Sequence, residues 1–290
     1  MKSALLVVST AVFLAAPISP VHASSAPAPA PAPASPAAPI VMVFMENVPY
    51  ATMVGNPNAP YINSMITGGM SATNMYAIEP GSKTDYLAAT SGRNFKNMRG
   101  PFDVDNLFNQ LQTAGMSQRS YEEAMPRPCF AQNAAGTDPE SYAKRHDPAI
   151  LYSDIRTNKP VCKATVIPAG TGSSSSQLLA DAAHGDLPNF TFLTPNNCND
   201  MHSCPIASGD DYLASVVPSL VSAGAHVILT WDESGNAKNE HIVLVEFGNG
   251  VSAGTFTPAI NDYGLLAGLE DHFGLPRLAG AQTATAFPVT

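Results

Sequence analysis

The sequence predicts an α/β fold, a mostly parallel central sheet flanked by helices with a loop-rich insertion. Three observations lead there. Strand-like and helix-like stretches alternate along residues 39–290 without an internal repeat, the order that supplies a parallel sheet with its crossover helices. Two apolar runs, Pro39–Met45 and Val227–Leu229, lack the polar alternation of a one-sided sheet and read as strands covered on both faces. The first stops at Glu46-Asn47, and the second, after Thr230-Trp231, at Asp232-Glu233. Adjacent carboxylates at the end of a buried strand are costly without a cation. That strand end is also where open α/β sheets bind ligands.

In chain order, Met-Lys-Ser precedes an apolar run, Ala4–Ala16, and small residues at Val21-His22-Ala23. This predicts a signal peptide over 1–23, too short and too interrupted by Pro to span a membrane. The expected destination is secreted, periplasmic or the outside of the cell envelope. An Ala/Pro-rich linker follows over 24–38, and one domain over 39–290. Pro60–Thr67 reads as a helix closed by Gly68-Gly69, and Ser71–Ile78 as a strand. The turn Glu79-Pro80-Gly81 leads to Ser82, read as the N-cap of a helix that ends near Gly92. Asp103–Ala114 reads as a helix and Ser117–Tyr121 as a strand.

Between Glu122 and Pro168, Pro and Cys become frequent and periodicity fades, so this stretch is the predicted insertion. Helices are then expected over Gln177–Ala183 and Asp210–Val221, the latter starting at Asp210-Asp211. The strand Asn189–Leu193 delivers Asn199-Asp200-Met201-His202, Ile242–Phe247 is a further strand, and Asp262–Phe273 is a closing helix.

The chain has 14 Lys and Arg against 23 Asp and Glu, a net charge of −9. That argues against nucleic acid or an anionic membrane as a general partner. No later stretch is apolar for long enough to insert stably into a bilayer. An anionic substrate would need local help from a metal, cations or helix ends. Composition leaves the oligomeric state open. Four cysteines in an exported chain suggest two disulfides, and the local pairs Cys129–Cys162 and Cys198–Cys204 are preferred among three connectivities. A thiolate metal site competes, but the spacings fit no common zinc pattern.

If the sheet is parallel, Glu46-Asn47, Asp200 with His202, and Asp232-Glu233 converge on one edge, with Ser82 at a helix start beside them. Carboxylate, amide and imidazole together suit a divalent cation of unidentified kind. A hydroxyl at a helix N-terminus beside a cation can attack, and the helix N–H groups can bind anion oxygens. The best-matched reaction is attack on the phosphorus of a small phosphate ester. Each member also has a plainer reading. Glu46-Asn47 and Ser82 could be helix caps, Asp200 and His202 loop bonds, and His146 a surface residue. His184 and His226 read as structural, His272 as packing or capping, and the role of His241 stays open.

Several segments together resemble a known family. They are Met45-Glu46-Asn47, Ser82–Gly92, Tyr142–Pro148, Pro195–His202, Gly209–Leu213, Thr230–Ser234 and Leu265–Leu275. In this order they are similar to the phosphoesterase family of secreted bacterial acid phosphatases and phospholipases C, across nearly all of 39–290. The resemblance implies an alkaline-phosphatase-like fold. It implies Glu46, Asn47, Asp232 and Glu233 as metal ligands and Ser82 as nucleophile, with Thr84 close by. It implies Asp200, His202 and His146 as active-site polar groups, His202 being a candidate acid for the leaving oxygen. Two departures, Val48-Pro49 after Glu-Asn and Asp85 where the family often has Asn, bear on substrate contacts. The chain length suits the acid phosphatases. A phospholipase C acting on a phospholipid, or a silent surface binding module, are the other readings.

Overall fold

The computed structural model describes residues 38–235 and 239–290. The expected signal peptide, and the expected linker up to residue 37, lie outside the described residues. The strands are β1 (Ile40–Met45), β2 (Met70–Tyr76), β3 (Gln118–Glu122), β4 (Ala134–Ala135) and β5 (Tyr142–Ala143). They continue as β6 (Val166–Pro168), β7 (Phe190–Thr194), β8 (His226–Trp231), β9 (His241–Phe247), β10 (Gly254–Phe256) and β11 (Ile260–Asn261). Nine of them form the main sheet, in the order β10-β2-β9-β8-β1-β7-β3-β6 with β11 also on β2. Every pairing in it is parallel except those of β9, which runs antiparallel to β8 and β2. The helices are α1 (Tyr50–Met53), α2 (Pro60–Gly68), α3 (Ser82–Ser91), α4 (Leu107–Thr113), α5 (Ser153–Thr157), α6 (Lys159–Thr165), α7 (Ser176–His184), α8 (Ile206–Ser222) and α9 (Asp262–His272).

The unbroken apolar run of β1 makes it the centre of the sheet. All six of its side chains are buried, between β7 and β8. Each such side chain contributes roughly 1.5–3 kcal/mol relative to exposure. Its register then sets the site. Met45 pairs with Trp231, which places the next residues, Glu46 and Asp232, side by side. Asp232 N–H donates to Met45 O at 2.9 Å, and Glu46 N–H donates to Asp200 O at 2.8 Å. Three acids from three chain segments thus meet at the carboxyl edge of the central strands.

The structure differs from the sequence expectations at four places. Ser82 is not the N-cap of α3. That position belongs to Gly81, at φ 122° and ψ 101°, which a side chain would strain, so Ser82 is the first helical residue. Asp210-Asp211 do not start α8, which begins at Ile206. Asp210 instead caps α2 across the fold, accepting from Tyr61 N–H at 3.1 Å and Ile62 N–H at 2.8 Å. Helix α4 starts at Leu107 because Asn106 caps it, accepting from Asn109 N–H at 3.0 Å. The insertion is more regular than expected. It holds the β4–β5 ribbon, α5, α6 and the edge strand β6, over buried Tyr142, Ile150 and Tyr152. Cys129–Cys162 and Cys198–Cys204 are both bonded, as the local pairing expects.

Candidate active site

The site lies where β1, β7 and β8 end, facing the first turn of α3. Glu46 is fully buried and accepts three hydrogen bonds. Ser82 Oγ donates to its Oε2 at 3.2 Å, Asn47 Nδ2 to the same oxygen at 3.3 Å, and Tyr86 Oη to Oε1 at 2.9 Å. Tyr86 lies one helical turn after Ser82 and so shares its face. With its amide nitrogen on Glu46, Asn47 keeps its amide oxygen for another partner. Its backbone sits at φ 59°, a conformation that Asn tolerates better than most residues, and its N–H donates to Asp232 Oδ1 at 3.2 Å. Glu233 N–H reaches the same Oδ1 at 2.6 Å.

The Cys198–Cys204 loop brings Asp200 and His202 in. Asp200 Oδ1 accepts from His202 N–H at 2.7 Å, and Met201 between them sits at φ 78°. His146 follows the insertion's ribbon and is buried between Glu46 and Asp200. Its Nε2 is 3.1 Å from Glu46 Oε1 and its Nδ1 3.4 Å from Asp200 Oδ2, without the alignment of hydrogen bonds. Its ring stacks on Tyr86, 5.5 Å between centroids. Glu46, His146 and His202 each bring a possible ligand atom within 4.8 Å of the others.

Burial dominates the electrostatics. It pushes Glu46 well above the ordinary carboxylate range, aided by the charges of Asp232 and Asp200. Asp200 rises well above its usual value for the same first reason, and Asp232 rises to about 7 through burial and the neighbouring Glu233. His146 is held well below its usual value by burial, then by Arg145 and His202, so it is neutral. Asp200 Oδ2, Asp232 Oδ2 and His146 Nε2 are buried without a hydrogen-bond partner. Crowded buried carboxylates with unsatisfied oxygens, beside a neutral imidazole, are the kind of donor set that could hold a divalent cation.

Glu46, Asn47, Ser82, Asp200, His146, His202, Asp232 and Glu233 all come to this one place. A cavity of about 490 Å³ opens over them, lined by Asn47, Ser82, Glu233, His202 and three cations, Lys83, Lys96 and Arg145. Thr84 lines it too. The Glu233 carboxylate lies towards the N–H groups of Gly81 and Ser82, which favour its charged form against the effect of burial. His241 lies apart, its ring between Tyr50 and Tyr76. His226 sits at the opposite strand end, bonded to Glu246 Oε1 at 3.0 Å.

Sequence reasoning missed Tyr86 and Arg145. The i+4 spacing from Ser82 could have flagged the first. Nothing local flags the second, whose Nη2 lies 2.9 Å from His202 Nε2, 57 residues away. A guanidinium only donates, so His202 Nε2 accepts and its ring proton is on Nδ1, 3.1 Å from Ser203 Oγ.

Residues 57–237 match the Phosphoesterase family. A phosphatidylinositol-3-phosphatase of Mycobacterium tuberculosis is 29% identical over 262 residues, covering 87% of this chain and 82% of that protein. An acid phosphatase of Aspergillus fumigatus is 26% identical over 81% of this chain but only 55% of its own length. An alkaline phosphatase superfamily structure from Vibrio parahaemolyticus superposes with a TM-score of 0.58 at 13% identity, covering 88% of this chain and 71% of that one. A lipoteichoic acid synthase from Listeria monocytogenes also gives 0.58, at 9% identity, over 86% of this chain and 76% of that one. Those structures share the fold. The chain belongs to the phosphoesterase family and is a hydrolase of phosphate esters.

Proposed function

We propose that the chain is an exported, metal-dependent phosphatase of phosphate monoesters that works through Ser82. One observation carries this reading: buried, partly unsatisfied carboxylates crowd around a helix-start hydroxyl that faces an open, cation-lined cavity. Glu46, Asn47, Asp232 and Glu233 would hold a divalent cation, with His146 and His202 on the other flank of Glu46. Bound there, the cation supplies Lewis-acid stabilisation of the hydroxyl oxygen and of the phosphate charge.

The chain's own groups do the rest. Ser82 Oγ donates to Glu46, which points its lone pairs away from that carboxylate and towards the cavity. Lys83 and Arg145 supply positive charge for the phosphate oxygens. Attack forms the Ser82 O–P bond and breaks the bond to the leaving oxygen, the hydroxyl proton passing to its acceptor Glu46 Oε2, and water then hydrolyses the phosphoserine. His202 orients Arg145, and it can act as acid for the leaving oxygen only after Arg145 has turned to the phosphate and the freed Nε2 has taken a proton from solvent. The relatives named as phosphatases support monoesters over the diesters of a phospholipase C. The disulfides and the secretory character of the first 23 residues support export.

Ser82→Ala tests the mechanism. It should bind orthophosphate about as well as the parent and turn over roughly 10⁴–10⁶-fold more slowly, the scale for losing a nucleophile. Acid quench during turnover should leave phosphate on the Ser82 peptide. Phosphate on Thr84 or His202 would reassign the nucleophile. An active Ser82→Ala with no phosphoenzyme would replace Ser82 by direct attack of water.

A further inference from the structure

Beside the catalytic cavity lies a second one, about 460 Å³, lined by Lys83, Arg99, Lys144 and Arg156 together with Met98 and Asn133. No acidic side chain lines it. Lys83 follows Ser82 directly and lines both cavities, so the two adjoin at its side chain. Its ammonium donates to Met98 O and stands 5.9 Å from the Phe102 ring centroid, which leaves further donors unused.

This concentration is out of keeping with an acidic chain. Six of its 14 Lys and Arg, namely Lys83, Lys96, Arg99, Lys144, Arg145 and Arg156, line these two cavities. Solvated surface cations normally intersperse with carboxylates. Here, among the described residues, only Lys96 of the six has a carboxylate partner, Glu79. Lys144 is tied to the ribbon by Asn133 Oδ1 at 2.7 Å, a neutral partner. Burial, and then the charge of the nearby Arg156, hold Lys144 below its usual value. A cleft of one sign focuses its field and concentrates anions.

We propose that this groove is a second-anion subsite, which takes a further phosphate carried by the same substrate whose first phosphate lies at Ser82. The preferred substrate is then a bisphosphorylated small molecule rather than a simple monoester. This rests on the phosphatase reading of the catalytic cavity. The scissile phosphate meets Ser82, Lys83 and Arg145 over the proposed cation site, while the second one meets Arg99, Lys144 and Arg156 and undergoes no chemistry.

The test is calorimetric binding to the metal-loaded protein of alkane-α,ω-bisphosphonates of increasing chain length, against the matching monophosphonates. At one best length the bisphosphonate should bind about tenfold or more tightly, the gain expected of two linked contacts. Arg99→Gln/Arg156→Gln should remove that gain and leave both monophosphonate affinity and p-nitrophenyl phosphate turnover unchanged. Equal affinity at every length, or a gain that survives the double variant, overturns the proposal. So does saturable binding of free orthophosphate in the groove with no gain for linked phosphates. So does Arg99- and Arg156-dependent binding to phosphatidylserine vesicles with no gain from linkage. A linked-phosphate gain in a protein that hydrolyses no monoester would keep the subsite and remove the phosphatase reading. Normal monoester turnover without a gain would do the reverse.

Discussion

Two groups of buried acids meet helix α3, and they handle the same problem differently. Around Ser82, which lines an open cavity, Glu46, Asp200 and Asp232 crowd fully buried beneath it. One turn further along, Asp85 faces Asp262 of α9, and both are fully buried. The second pair is closed by backbone and proton. Ile78 N–H donates to Asp85 Oδ1 at 2.8 Å and to Asp262 Oδ2 at 3.1 Å, and Glu79 N–H also reaches Asp85 Oδ1 at 3.1 Å. Burial and the Asp262 charge push Asp85 up to about 10, so the pair keeps a proton at neutral pH, which lets one carboxyl donate to the other. Both groups keep carboxylate oxygens without a donor, Asp200 Oδ2 and Asp232 Oδ2 in the first and Asp85 Oδ2 and Asp262 Oδ1 in the second, but only the first has a neutral His146 beside it and a cavity over it at Ser82. A proton suffices inside the core. An exchangeable cation suits the cavity, where the charge is put to use.

The largest effects should come from the cavity group. Glu46→Gln and Asp232→Asn each keep shape and remove one negative charge from the cation site. Turnover at saturating metal should drop roughly 10³-fold, the scale of removing one strong electrostatic contact, while the fold stays intact by circular dichroism. Near-parental turnover in either variant would take that residue out of the site. The core group offers the matched control: Asp85→Asn should turn over within about threefold of the parent, because the Asp85 carboxylate is engaged by the Ile78 and Glu79 N–H groups and not by Ser82 or Glu46.

Next comes stability with and without metal. Cation binding to the folded state should add about 2.7 kcal/mol of stability at a hundredfold excess over Kd and raise the melting temperature accordingly. Chelator should reverse it. Asp232→Asn should lose most of this shift, and Asp85→Asn should retain it. Equal shifts in both variants would mean that the cation binds elsewhere and that the two acid groups are alike.

Much of the cavity group was legible in the sequence because its members terminate buried strands. The run ending in Met45 could only be a central strand, and a polar residue after it must sit at the sheet edge. The same logic found Asp232, and the short disulfide loop pointed to Asp200 and His202. The core pair was not legible. Asp85 reads as an ordinary first-turn acid of α3, and Asp262 as the same for α9, and their partnership spans 177 residues through Ile78. Asp210 failed for the same reason, since its partners are the N–H groups of a helix 148 residues away or more. Local propensity placed an acid at a helix start, and tertiary packing decided which helix it served. The antiparallel course of β9 was likewise invisible, because an apolar strand carries no mark of its direction.

The smallest predicted effect is also the most diagnostic of the core pair. The resemblance to related phosphoesterases expects Asn where this chain has Asp85. Asn would still accept from Ile78 and Glu79 N–H through Oδ1, and its Nδ2 could donate to Asp262. The sign of the pH dependence follows from the raised pKa. The unfolded chain releases the Asp85 proton near its ordinary value of 3.8, whereas the folded chain holds it up to about 10. Between those values the folded state carries the extra proton, so stability contributed by this site falls as pH rises. Asp85→Asn removes that proton and with it the slope. The variant should equal the parent near pH 4 and gain on it steadily up to pH 8, by at most about 1.4 kcal/mol per pH unit, the slope of one retained proton. Denaturant midpoints at four pH values would read it. A variant that is destabilised at pH 8, with the parental slope unchanged, would show that the pair shares no proton and that both acid groups depend on cations.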